Sequence, residues 1–140
     1  MAKLSDLLTK TSTIKEGKYT AHIISISKAD PIAYDNKDVP IILKVKFPEL
    51  ADRVQTIFLN TKKASADDLN IYERTIVDIE RQLQTGKDMD LEQIESVDIN
   101  FKGKDVDCYV CNVLATDGKT YTNYYFNKEN KHVKAMLLMM

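Results

Sequence analysis

The chain has no tryptophan, and its 140 residues include only four glycines, three prolines, two cysteines and two histidines. Each shortage closes a route. Four glycines leave no loop built to cradle a phosphate, and no Walker, GxGxxG, GxSxG or HExxH motif occurs. His22 and His132 lie far apart and bracket no nucleophile motif. Cys108 and Cys111 form a lone CxxC. A redox pair of this kind opens a helix, where the dipole lowers a thiol's pKa. Here it falls inside a predicted strand, so the two thiols have opposite parity and point to opposite faces. Such thiols cannot share a metal, and further ligands are lacking nearby. No stretch approaches the ~18 apolar residues of a membrane span, and MAKLSDLLTK lacks the apolar run of a signal peptide. The expectation is a soluble, cytoplasmic protein that is not an enzyme and carries no metal or cofactor.

Charge is present in both signs but unevenly placed. The formal net charge is −1. Residues 66–98 nonetheless hold ten acids against three bases, while the remainder holds seventeen bases against eleven acids. An acidic insert in a basic frame points to one side facing a polyanion and an opposite side facing solvent. Lysine outnumbers arginine seventeen to three, which favours contact with a phosphate backbone over bidentate reading of bases.

The length suits one domain, with residues 1–14 as an N-terminal arm and 128–140, which contain HVKAMLLMM, as an apolar tail. A long first strand is predicted over 18–28. The buried parity there switches between Ile23 and Ile24, which signals a bulge or bend. Residues 29–40 are turn-rich. IILKVKF (41–47) and RVQTIFLN (53–60) read as a hairpin. A helix is predicted over 66–85, with Ser65 as N-cap, Leu69, Tyr72, Ile76, Ile79 and Leu83 as its apolar stripe, and Gly86 as its stop. VDINF (97–101) alternates as a strand with Val97, Ile99 and Phe101 on one side. Strands over 105–114 and 119–127 are joined through Asp117-Gly118. The class is mainly β. The order predicts a five- or six-stranded Greek-key barrel with one α-helix between strands three and four.

The densest aromatic cluster follows that Asp-Gly turn, in TDGKTYTNYYFN: Tyr121, Tyr124, Tyr125 and Phe126. Tyr121 and Tyr125 share one face, Tyr124 and Phe126 the other. Strand parity leaves open which face is the interior. Exposed rings beside lysines suit a single nucleic-acid strand, whose bases stack on them for ~1–3 kcal/mol each. Lys44 and Lys46 offer a basic face on the second strand, and Lys62, Lys63, Lys102, Lys104 and Lys119 lie at strand ends and loops.

In layout the chain resembles the small OB-fold single-stranded-DNA-binding proteins of bacteriophage replication and recombination modules. The resemblance spans most of 15–127. It rests on GKYTAHIISISKAD, on IILKVKF and RVQTIFLN, on the helix that follows, and on FKGKDVDCYV and DGKTYTNYYF. It implies sequence-tolerant binding of single-stranded DNA in a groove across an OB-like barrel, in the cytoplasm of a phage's host. Residues 134–140, KAMLLMM, hold no acid where many such proteins carry an acidic tail, so partner recruitment through such a tail is not expected.

Two other readings compete. One is a protein–protein adaptor on the same barrel, capturing a phage or host replication enzyme through the acidic helix or the LLMM tail. The other is a small hydrolase using Asp105 and Asp107, which share a strand face. The apolar tail and free strand edges also make a homodimer reasonable.

Overall fold

The computed structural model describes residues 14–63 and 65–140. Apart from Ile14, the expected N-terminal arm lies outside the described residues. Five strands form one antiparallel sheet: β1 (Gly17–Lys28), β2 (Ile41–Phe47), β3 (Arg53–Leu59), β4 (Asp105–Leu114) and β5 (Thr120–Tyr125). Their spatial order is β3-β2-β1-β4-β5, and the sheet curls into a half-barrel. Because every neighbouring pair is antiparallel, the two edge strands β3 and β5 run parallel to each other.

The central strand owes its length to the bulge. Residues Gly17 to His22 pair with β4, and His22 to Lys28 pair with β2, with a register slip between Ile23 and Ser25. Ala21 and Ile23 point inward before the slip and Ile26 after it, so the parity switch keeps the apolar side on the core. Past His22, the edge of β1 facing β4 has lost its strand partner. The Ile23 N–H donates to Lys104 O at 2.9 Å, Gly103 N–H to Ile23 O at 2.8 Å, and the Ile26 N–H to the Asp98 carboxylate at 2.7 Å.

Helix α1 (Ile71–Leu83) begins later than Ser65, because Asn70 and Glu73 form a reciprocal capping box. The Glu73 N–H donates to Asn70 Oδ1 at 2.7 Å and the Asn70 N–H to Glu73 Oε1 at 3.0 Å. Leu69 is therefore outside the helix and exposed. The helix closes at Gln84, a residue in the left-handed region, rather than at Gly86. Tyr72, Ile76 and Ile79 join the core beneath the sheet.

The predicted strand VDINF is instead part of helix α2 (Ile94–Phe101). Val97 and Phe101, four apart, are both buried, while Ile99 is 76% exposed. The apolar period is that of a helix turn, and three alternating apolar residues were too few to tell it from a strand. The sheet thus has five strands and no sixth among the described residues. The chain also has more than one helix, since the apolar tail forms α3 (Lys131–Leu138), capped by Asn130. Its Val133 and Met136 cover Tyr109 and Cys111 on the outer face of β4, making a second small core. Among the described residues, no helix is long and apolar enough to cross a membrane.

Candidate nucleic-acid interface

The outer face of β1, β2 and β3 carries the cationic and aromatic groups in closest register. Leu43, Val45 and Phe47 turn into the core, which sends Lys44 and Lys46 outward. Lys44 lies across from Ser25 on β1 and Thr56 on β3; Lys46 lies across from His22 and Val54. One step along the same face, Ile42 pairs with Phe58. Phe58 is 59% exposed and Val54 52% exposed, so this side of the sheet presents a ring and apolar surface next to two ammonium groups. At its β4 border, His22 Nδ1 lies 2.7 Å from the Asp105 carboxylate.

Phe58 did not figure among the sequence candidates. The available signal was its parity: Ile57 and Leu59 alternate with it and are buried. In a strand paired to IILKVKF, that parity puts the ring on the lysine side.

The aromatic run after Asp117-Gly118 keeps its two-face alternation but divides among three environments, which corrects the expectation that all four rings serve the interface. Phe126 is 3% exposed, in the main core, and offers no ring face to a ligand. Tyr124 turns inward as well and stacks on Phe47, ring centroids 6.4 Å apart. Burial pushes its hydroxyl pKa up. Tyr125 turns to the other face, but α3 covers it there: its ring stacks on His132 at 5.9 Å, and burial raises its hydroxyl pKa too. Only Tyr121 is open, at 48% exposure. Its hydroxyl donates to Asp117 Oδ2 at 2.7 Å, which raises the phenol's pKa and lowers that of the carboxyl.

The remaining lysines are scattered. Lys62 and Lys63 follow β3 at the Phe58 end of the face, and Lys63 is drawn to Glu73 at 3.7 Å. Lys102 and Lys104 sit in the turn between α2 and β4, and Lys104 lines a hollow with Leu83 and Lys87 at the end of α1. Lys119, in the β4–β5 turn, donates its backbone N–H to Asp117 Oδ1 at 2.8 Å. Of the sequence-predicted residues, the fold brings together Lys44 and Lys46 on one strand face.

A cleft of about 470 Å³ separates the two edge strands. Thr56 to Leu59 form one wall and Thr122 to Phe126 the other, with Ile71, Arg74, Thr75 and Asp78 of α1 beside them. Phe58 belongs to both the outer face and this cleft. Asp78 is partly buried, and burial raises its carboxyl pKa against the opposing charges of Arg81 and Arg74.

Cys108 and Cys111 occupy opposite sides of β4, Cys108 in the main core and Cys111 beneath α3, and burial pushes both thiols up. Asp105 and Asp107 face outward together, one at His22 and the other 3.6 Å from Lys18.

No protein-family profile matches the chain, and neither does any curated protein sequence.

Proposed function

We propose that this chain is a single-stranded DNA-binding module on an OB-like barrel left open between β3 and β5. The five-strand order with a helix after β3 supports the fold reading, since OB barrels are partly open Greek keys that bind oligonucleotides over strands two and three. The observation that carries the function is the exposed Phe58 ring on the same face as Lys44 and Lys46, a face that no element among the described residues covers. A base can stack on such a ring while the ammonium groups neutralise the phosphates to either side. Neither contact reads sequence. In a phage replication or recombination module, the same chemistry would coat exposed single strands.

The test is fluorescence anisotropy with labelled oligo-dT and a duplex of equal length, at two salt concentrations. The reading requires preference for the single strand and weakening with salt; no binding of oligo-dT at low salt ends it.

A second reading, protein docking, is favoured by a different observation. Leu137, Leu138, Met139 and Met140 are all exposed at the end of α3. Docking there would survive nuclease treatment and fail in Leu138→Asp, whereas the DNA reading predicts that Leu138→Asp binds oligo-dT normally.

A further inference from the structure

The β3–β5 cleft has polar equipment that sequence-tolerant stacking does not use. It opens beside the lysine face, with Phe58 at the shared border, so a strand lying across β2 and β3 passes its mouth. Its volume of about 470 Å³ is enough for one nucleotide and too small for a base pair with its backbones. Arg74 is an exposed cation on its wall for a phosphate.

Two groups on its walls have hydrogen-bonding capacity to spare. Asp78 stands between this cleft and a smaller hollow with Arg81 and Asn127. Among the described residues its carboxylate receives one long hydrogen bond, 3.4 Å from Asn127 Nδ2, beside the charges of Arg81 and Arg74, which leaves lone pairs to accept from a ligand. The Asn130 side-chain oxygen is committed to the His132 and Val133 N–H groups, at 2.8 and 3.4 Å, so its amide nitrogen is the part left to donate. The cleft therefore joins a two-oxygen acceptor to an amide donor. Among the four DNA bases, only guanine presents two adjacent N–H donors, N1–H and N2–H, next to a carbonyl acceptor, O6. A carboxylate accepts from both donors at once, as it does from an arginine fork.

We propose that this cleft is a guanine-selective subsite, in which Asp78 accepts from N1–H and N2–H, Asn130 donates to O6, and Arg74 holds the adjoining phosphate. The proposal rests on the reading of the β1–β3 face as a single-strand interface, and it adds a base preference which that face cannot supply.

The test compares, on the wild-type protein, oligo-dT carrying one central dG, deoxyinosine, dA or dC. Inosine keeps N1–H and O6 but lacks the N2 amine. A bidentate base contact corresponds to about a tenfold gain of the dG oligonucleotide over oligo-dT, most of it lost with inosine. In Asp78→Asn, the dG-to-dT affinity ratio should fall below twofold, a readout that a purely structural role for Asp78 would not move. Equal affinity for dG and inosine in the wild type overturns the subsite, and so does an Asp78→Asn protein that keeps the preference. Should Asp78→Asn not fold, the inosine comparison decides alone. Oligo-dT binding without dG preference removes only the subsite, whereas absence of all oligonucleotide binding removes the interface with it.

Discussion

Gln82 holds the backbone of Asp107 from both sides: its Nε2 donates to the Asp107 carbonyl at 3.0 Å, and its Oε1 accepts from the Asp107 N–H at 2.7 Å. The same Nε2 also donates to Phe126 O at 2.8 Å. β5 ends at Tyr125, opposite Tyr109, so the ladder beyond that point has no strand partner. The Gln82 amide takes its place and fastens α1 to the sheet.

Replacing Gln82 by Ala should therefore lower stability by about 1–2 kcal/mol, the sum of modest net hydrogen bonds at a partly open site. Gln82→Glu should not rescue it, because a carboxylate cannot donate to the two carbonyls. Urea denaturation of the three proteins measures this; equal midpoints for Gln82→Ala and wild type would refute the fastening role.

Phe58 and Tyr124 should separate binding from stability. Phe58 is mostly exposed, so Phe58→Ala should leave the melting temperature nearly unchanged and weaken oligo-dT binding about 5- to 100-fold. Tyr124 packs on Phe47, so Tyr124→Ala should cost about 1–3 kcal/mol of stability. A Phe58→Ala protein with wild-type affinity would move the interface off this face.

Lys44 and Lys46 should appear in the salt dependence. Each phosphate neutralised contributes a log–log slope of about −0.7 for a single strand. Lys44→Ala and Lys46→Ala should each flatten the slope by about that amount, measured by anisotropy titrations across a range of salt. Lys104→Ala, on the α1 side of the molecule, should not change it.

Alkaline pH should act through Tyr72. Its hydroxyl donates to Leu91 O at 2.8 Å, and burial, aided by the charges of Asp90 and Glu73, pushes its pKa up to about 12. The folded state thus favours the neutral phenol more than the unfolded state does. That contribution is fully present below the ordinary tyrosine pKa near 10 and is lost as pH climbs from there to about 12. Between these limits stability should fall by up to about 1.4 kcal/mol per pH unit. The decline should be shallower in Tyr72→Phe. Parallel pH profiles for the two proteins would exclude Tyr72 as its source.

Local sequence was sufficient wherever the structural signal was itself local. Alternation in IILKVKF, RVQTIFLN and DVDCYVCNVL, the Asp-Gly turn and the parity switch in β1 each depend on a few neighbouring residues. Those elements stand where the pattern puts them. The capping box at Asn70 and Glu73 was equally local, yet Ser65 offered a competing start. VDINF was short enough to satisfy both periods, and its fate was settled by burial of Val97 and Phe101 against β1 and by the Asp98 bond to Ile26.

By itself the sequence determined a mainly β domain, its strand alternation and the separation of an acidic segment from a basic frame. Period-two patterning and charge are properties of the chain alone. Only the tertiary structure decided which alternate residues meet water, because that depends on what covers each face. Helix α3 lies over Tyr125, the core takes Tyr124 and Phe126, and nothing described lies over Phe58. That left an aromatic ring beside Lys44 that no count of tyrosines would have located.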